Sequence, residues 1–193
     1  MAQRRKTKTE QRIREALTHL LRTKGFEALT VSDVAREAGI NRGTFYAHYT
    51  DKFDLLNKQI ELAIAELTDI LLAPSPEPPG DDLVPRVNVL RALCYVRDNY
   101  SFVSALTKDG TDSRLETHVK DALEQLIERE ARRYPAFTLS YRGLPRDYGR
   151  TVLLSSITAI IWLWIRKACT ETPEQICDII FANKNLSPME LLK

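Results

Sequence analysis

The chain has 193 residues, of which 44% are apolar and 28% are charged, and its net charge at pH 7 is +2. This composition is typical of an ordinary folded protein of one or two domains and argues against indiscriminate binding to polyanions. The charge is unevenly distributed, because residues 1–60 hold 12 Lys/Arg against 7 Asp/Glu, whereas residues 61–193 hold 16 against 19. We therefore expect an N-terminal part that faces a polyanion and a C-terminal part with another role.

Apolar residues at helical spacing predict a first helix over residues 9–24, which Gly25 ends. Thr30, followed three residues later by Asp33, is a helix-start signal, and Gly39 ends the second helix.

Asn41 is predicted to cap a third helix that ends near Tyr49. Thr50 or Asp51 is predicted to cap a fourth, long helix that continues to Pro74.

The segment PSPEPPGDD (74–82) cannot continue a helix, because its first six residues include four prolines. We interpret it as a stiff loop between helices. No convincing strand alternation follows, and the remaining predicted helices cover residues 83–99, 101–107, 113–134, 145–168 and a stretch from Pro173, before a short tail at 183–193.

The third helix has an unusual surface. At about 100° per residue, Phe45 and Tyr49 point together toward the core. The opposite face carries Gly43, Thr44 and Ala47 at its centre, which are small. Tyr46 and His48, which can form hydrogen bonds, flank them on either side. Such a ridge fits the DNA major groove, where Arg42 can bind guanine through paired donors.

The second helix, the turn at residues 39–41 and the third helix therefore form a predicted helix-turn-helix. The helix starts at 30–32 and 50–52 present backbone N–H groups suited to phosphate. We predict DNA contacts at Thr30, Ser32, Asn41, Arg42, Gly43, Thr44, Tyr46, His48 and Lys52. The alternative is a helical hairpin inside a bundle whose polar residues are merely solvated.

Residues 9–56 resemble the DNA-binding domain of the TetR family of bacterial transcriptional regulators. The stretch GFEALTVSDVAREAGINRGTFYAHYTDKFDLL (25–56) carries the resemblance, through V-A-x-x-A-G-I, G-T-F-Y-x-H-Y and the Lys of the fourth helix. It implies an all-α fold: an N-terminal three-helix helix-turn-helix domain (1–56), joined by a long fourth helix to a C-terminal helical ligand-binding and dimerisation domain (57–193). It also implies a homodimer that binds an operator and usually represses.

The basic segment RRKTK (4–8) has two interpretations, a disordered soluble end or an arm that reaches phosphates or the minor groove.

The apolar stretch at 152–165 has 14 residues, short of the roughly 18–20 of a membrane span, so we expect a buried helix and no membrane segment. Since this helix is apolar on nearly every side, we predict a homodimer interface formed by residues 151–168 and 173–182, with close approach at Ser155, Ser156 and Ala159. A core helix covered within one chain is the alternative.

The resemblance also implies a small-molecule effector in the C-terminal domain. Six residues could line its pocket, although the residues themselves favour plain core packing for each: Leu90, Cys94, Tyr95, Tyr100, Phe102 and Trp162.

The sequence shows no hydrolase, phosphate-loop or zinc-protease motif, and His19, His48 and His118 lack ligand-spaced or nucleophilic partners. We therefore predict no enzymatic activity, no metal and no cofactor. The three cysteines, odd in number, and an N-terminus without a signal-peptide pattern favour a cytoplasmic protein with reduced thiols. A competing hypothesis is an activator or co-regulator whose C-terminal domain binds another protein, with the aromatic segment 134–148 as a partner surface.

Overall fold

The structure is a computed structural model that describes residues 2–75, 84–107, 112–133 and 144–183. All regular elements within these ranges are α-helices, which confirms the predicted all-α class. They are α1 (Ala2–Lys24), α2 (Val31–Glu37), α3 (Arg42–Tyr46), α4 (Lys52–Leu71), α5 (Arg86–Asp98), α6 (Tyr100–Leu106), α7 (Asp112–Arg133), α8 (Arg146–Arg166) and α9 (Pro173–Asn183).

Four helices differ from the predicted bounds by three residues or more. Helix α4 ends at Leu71, before the predicted Pro74, and α5 begins at Arg86, after the predicted residue 83. Helix α1 begins at Ala2, so the basic segment 4–8 continues the helix. Helix α3 ends at Tyr46, earlier than predicted, because the N–H groups of both His48 and Tyr49 donate to the carbonyl of Phe45 and turn the chain. Most of the segments 74–82 and 134–148, and the tail from residue 184, lie outside the described residues.

The chain divides into two compact units, the first comprising residues 1–63 and 101–115 and the second residues 64–100 and 116–193. In the first unit, α1 packs on α2 and α2 packs on α3. Its core buries Ile13, Leu17, Val34, Phe45 and Leu55 with no exposed surface. Each such side chain contributes about 1.5–3 kcal/mol of burial free energy, so this core holds α2 against α1 and α3 against α2.

Helix α6, apart from its first residue, belongs to this first unit, although 28 residues separate it from the end of α4 in the sequence. Phe102 of α6 is buried, and the guanidinium carbon of Arg14 lies 4.4 Å from the centre of its ring. This is cation–π geometry, so α6 is held within the unit by both apolar burial and charge.

In the second unit, α9 packs on both α5 and α8. The buried residues include Leu93, Trp164, Ile176 and Cys177. The buried Asn88 side chain donates to the carbonyls of Leu71 and Ala73 at 3.1 and 2.8 Å. It thereby satisfies carbonyls at the end of α4 that the helix itself leaves without partners.

Among the described residues, the stretch Asp147–Arg166 of α8 is long and apolar enough to pass a length-and-composition test for a membrane span, with 28% of it buried. One such helix is weak support for a membrane segment, because helices of soluble proteins pass the same test. Its apolar residues that remain exposed lie on one side of α8, as described below.

Candidate nucleic-acid interface

Helix α2 begins with a complete capping box. The Thr30 hydroxyl accepts a hydrogen bond from the Asp33 N–H, and the Thr30 N–H donates to the Asp33 carboxylate at 3.0 Å. The hydroxyl of Thr30 also donates to Asp33, at 2.7 Å. The capping threonine therefore uses its donors within the protein, and Ser32, which is exposed, is the better placed of the two to donate to a phosphate.

Asp33 is the centre of a charged cluster beneath this cap. Lys24 of α1 donates to its carboxylate at 2.6 Å and Arg36 at 2.8 Å, while the carboxylate is largely buried. The ammonium of Lys24, followed by the hydroxyl of Thr30, holds the pKa of Asp33 well below its usual range. The Asp33 carboxylate stays ionised at neutral pH, and its bond to Lys24 joins the end of α1 to the start of α2.

The turn between α2 and α3 depends on Gly39, whose φ of +59° is a left-handed conformation that other residues adopt at a cost. A Cβ atom at this position would also lie 2.5 Å from a guanidinium nitrogen of Arg12. That guanidinium donates to the Gly39 carbonyl at 3.0 Å. The backbone conformation therefore favours glycine here, whereas the guanidinium of Arg12, at the end of a flexible side chain, could move away from a Cβ atom.

Helix α3 is placed by its buried side. Phe45 has no exposed surface and Tyr49 only 5%, and the two rings lie 5.5 Å apart. Burial raises the pKa of Tyr49, so its phenol stays neutral, and its oxygen accepts from the buried Gln59 at 3.2 Å. The predicted core orientation of these two aromatic residues is confirmed, and the opposite face of α3 must therefore point outward.

The outward face carries Arg42, Gly43, Tyr46 and Ala47, all exposed, with Tyr46 at 49%. Arg42 donates to the Tyr46 hydroxyl at 3.2 Å, and its guanidinium carbon lies 5.8 Å from the ring centre. The side chain of Arg42 is thereby restrained on the surface before any DNA binds. Such restraint lowers the entropy that binding must remove.

Asn41 and Thr44 are joined at the start of α3. The Oδ1 atom of Asn41 accepts from both the N–H and the hydroxyl of Thr44, at 2.6 and 2.8 Å. These bonds are those of a helix N-cap. Any base contact by Asn41 would accordingly use its amide nitrogen, while Thr44, half-buried, offers its methyl group or its remaining acceptor.

Lys52 and His48 lie at the rim of this surface. The ammonium of Lys52 donates to the carbonyls of Phe26 and Glu27, at 3.0 and 2.9 Å, and lies over the rings of Phe26 and Phe53. Since an ammonium has three donors, one remains for a phosphate. His48 is half-buried, with its ring 6.1 Å from that of Tyr49.

The sequence reasoning missed Arg12 and Lys58. Lys58 of α4 donates to the carbonyl of His48 at 3.1 Å and to the carboxylate of Asp54 at 3.0 Å. The spacing of Asp54 and Lys58, four residues apart on one helix, could have indicated their ion pair. No local pattern indicates the bonds from Arg12 and Lys58 to backbone carbonyls.

Of the six predicted ligand residues, five belong to the second unit and Phe102 to the first, where it packs with Arg14. The five are half-buried, and the Tyr95 hydroxyl donates to the Glu66 carboxylate. The indole nitrogen of Trp162 is buried and has no hydrogen-bond partner among the described residues. A buried N–H without an acceptor is uncommon in native proteins.

Helices α8 and α9 both keep large apolar side chains exposed. Val152 and Leu163 of α8 are 60% and 53% exposed, and Ile179 of α9 is 46% exposed. On α8, the exposed small residues Ser155 and Ala159 lie between the first two, along one helical stripe. The predicted interface residues therefore include a surface that is accessible to another apolar face.

Two family models match this chain. The model of bacterial regulatory proteins of the tetR family matches residues 13–58, and a model described as a transcriptional regulator C-terminal region matches residues 87–183, half of the chain. The chain is 37% identical over 75 residues to the HTH-type transcriptional regulator YxbF of Bacillus subtilis and 32% identical over 94 residues to the HTH-type transcriptional regulator AcrR of Shigella flexneri. These alignments cover 38% and 46% of this chain, and 20% and 42% of the two relatives.

Among solved structures, the fold is similar to that of the fatty acid degradation regulator FadR from Bacillus halodurans. The TM-score is 0.66 at 15% sequence identity, over 89% of this chain and 92% of that one. The matched families are transcription regulators and not enzymes, in agreement with the prediction from the sequence. With models of both its regions matched in order, the chain belongs to the tetR family of bacterial transcriptional regulators.

Proposed function

We propose that this protein is a repressor that binds a palindromic DNA operator as a homodimer and releases it when a small molecule binds the second unit. The observation that carries the proposal is the outward face of α3. There, Arg42 is restrained against Tyr46 beside the small residues Gly43 and Ala47, while Phe45 and Tyr49 fix the helix from below.

On DNA, we propose that α3 enters the major groove and that Arg42 contacts guanine through two N–H donors. The absence of a side chain at Gly43 and the single methyl of Ala47 allow close approach to the base edges, and that methyl suits contact with a thymine methyl. Ser32 and the remaining donor of Lys52 would contact phosphates. These phosphate contacts give affinity for DNA of any sequence, whereas the base contacts of α3 give preference for one sequence.

Dimerisation is supported by the uncovered stripe on α8 and Ile179 on α9. Apolar side chains left in water forgo about 25 cal/mol for each Å² that a partner would cover, and a second copy would present an identical stripe. Ser155 and Ala159 allow the backbones of paired helices to come close. Two copies of α3 would then meet two half-sites of a palindrome, about one or more DNA turns apart.

Effector binding is supported by the Trp162 indole N–H, which is buried and has no acceptor within the part of the chain that the structure describes. An apolar molecule that carries one carbonyl or carboxylate oxygen could satisfy it. To cause release, that molecule must bind more tightly to a form whose two α3 helices no longer match the operator. Apolar acids, esters and ketones are therefore the first compounds to screen, with tryptophan fluorescence of wild type and Trp162→Phe as the readout.

The testing experiment is selection of bound sequences from a random duplex library at physiological salt, followed by a reporter assay with the selected site in the promoter. An enriched palindrome and lower reporter expression are expected. Enrichment of a single asymmetric half-site would contradict the dimer, and raised expression would make the protein an activator. Absence of any enriched sequence would contradict operator recognition by α3.

A further inference from the structure

The segment that would recognise DNA, residues 39–49, is short, and its helix α3 has only five residues (Arg42–Tyr46). A helix of that length is not stable alone, because nucleation is unfavourable and few hydrogen bonds follow it. Its orientation must therefore be fixed by other elements. Phe45 and Tyr49 hold its buried side, and at its first end the N–H groups of Gly39 and Ile40 donate to carbonyls of α2. Side-chain bonds from other helices are added at both ends.

Both ends are held by cations from neighbouring helices. At the first end, Arg12 of α1 donates to the carbonyl of Gly39 at 3.0 Å. At the second end, Lys58 of α4 donates to the carbonyl of His48 at 3.1 Å. Neither carbonyl lies inside a helix, so each needs a partner from another part of the protein or from water.

Lys58 is itself held in position. Lys58 pairs with the carboxylate of Asp54 at 3.0 Å, and its ammonium lies 5.4 Å from the centre of the Tyr49 ring. The N–H of Thr50 and then Lys58 lower the pKa of Asp54, so this partner is ionised at neutral pH. Arg12 lies beside Gly39 closely enough that a Cβ atom there would meet its guanidinium at 2.5 Å.

We infer that Arg12 and Lys58 are positioning residues for operator recognition, which act as two carbonyl clamps on segment 39–49 and do not contact phosphate. The inference rests on the proposed function, since it assigns the geometry of the same DNA-binding surface. It also gives some basic residues of the N-terminal part a role other than binding phosphate. Two of its cations hold the backbone in place, so their removal should reduce sequence discrimination more than general affinity for DNA.

The test compares Arg12→Met and Lys58→Met with wild type on the selected operator and on a random duplex of equal length, over a range of salt concentrations. Methionine keeps an unbranched stem and removes the donors. Arg22→Met is the matched control, because it removes one exposed charge near the far end of α1. A groove of about 370 Å³ adjoins Arg12, so its replacement requires no repacking of the core.

The clamp variants should lose roughly tenfold in operator affinity, as expected for a lost hydrogen bond to a charged group, with little change on the random duplex. Their slope of log K against log salt should stay as in wild type. Arg22→Met should keep the wild-type ratio of operator to random binding. Equal losses on both duplexes, with a slope reduced by about 0.9, would identify phosphate contacts and overturn the inference.

Amide hydrogen exchange of the free protein gives a readout that needs no operator. Amides of residues 40–49 should exchange faster in both methionine variants than in wild type or Arg22→Met. Arg12→Lys and Lys58→Arg, which keep a donor on a long stem, should restore protection and operator preference. If wild type shows no operator preference, the proposed function is wrong. If exchange is unchanged in the methionine variants, the positioning role of Arg12 and Lys58 is wrong, whatever the outcome for the operator.

Discussion

Arg42 is the residue on which the proposed sequence recognition most depends. It is exposed on α3, and its guanidinium both donates to the Tyr46 hydroxyl and lies over the Tyr46 ring. Because the pair is four residues apart on one helix, the tyrosine restrains the arginine without any tertiary contact. Asn41 and Thr44 are arranged differently, since their side chains bond to each other and begin the helix.

Arg42→Ala should weaken operator binding by about 1–3 kcal/mol and relax the preference at one base pair of each half-site. The measurement is equilibrium binding to the selected operator and to single-base variants of it. Tyr46→Phe, which keeps the ring and removes the hydroxyl, should have a smaller effect of the same kind. An Arg42→Ala protein that loses affinity equally on every sequence would show that Arg42 contacts phosphate.

At the scale of elements, the start of α2 and the turn between α8 and α9 are both defined by several bonds at once. Thr30 and Asp33 close a reciprocal cap, and Lys24 of α1 reaches the same carboxylate. After α8, Ala168 and Cys169 both have positive φ, of 56° and 51°. The Trp164 indole donates to the Glu171 carbonyl at 2.9 Å, and Lys167 pairs with Glu171, so the surrounding contacts hold this strained turn.

Asp33→Asn should lower the free energy of unfolding at neutral pH, because the charged partners of the carboxylate, Lys24 and Arg36, lose their counter-ion. The folded-state pKa of Asp33 lies below the usual Asp value of 3.8. Its stabilisation is therefore complete above that value and is lost as pH falls through the folded-state pKa. Denaturant unfolding of both proteins from neutral to acid pH should show their difference shrinking below 3.8. A pH-independent difference would contradict this role.

Ala168→Gly should stabilise the protein by about 0.5–1 kcal/mol. Glycine removes the strain of the left-handed conformation at φ 56°. Its greater conformational entropy in the unfolded state offsets part of that stabilisation. Thermal and denaturant unfolding measure the change. The control is Ala65→Gly at an exposed position within α4, where the same substitution should destabilise by about 1 kcal/mol. Destabilisation at both positions would mean that the turn is not strained.

At the scale of the whole molecule, the two units have different chemistry. The first unit contains the exposed face of α3. The second unit contains the exposed apolar stripe of α8 and the exposed Ile179 of α9. A palindrome requires two copies of the first, and the stripe offers the surface through which two copies of the second could pair. The proposed function therefore uses the polar surface of one unit and the apolar surface of the other.

Leu163→Glu should convert the proposed dimer to a monomer, because an interface would have to bury an unpaired carboxylate from each copy. Light scattering at micromolar concentration measures the mass. Operator affinity should fall with it, since a monomer contacts one half-site. Leu62→Glu is the matched control, because Leu62 is a similarly exposed leucine of α4 outside the stripe. A wild-type protein that is already a monomer would refute the dimer.

The sequence predicts the helices of this protein better than the details of its candidate site. The Thr30–Asp33 cap and the Asn41 cap lie within three residues of their partners, so they could be identified correctly from the sequence. The same holds for Phe45 and Tyr49, whose shared face follows from helical spacing. The end of α3 at Tyr46 could not be identified, because it depends on the turn that the following residues make.

The helices, their caps and the buried and exposed sides of α3 follow from local sequence, since these depend on bonds and periodicities within a few residues. The bonds from Arg12, Lys52 and Lys58 to backbone carbonyls depend on packing, because each cation lies 10 to 27 residues from its partner along the chain. Packing also determines that α6 joins the first unit and which side of α8 stays uncovered. The physical reason is that each of these features requires distant segments to be packed before the partners can meet.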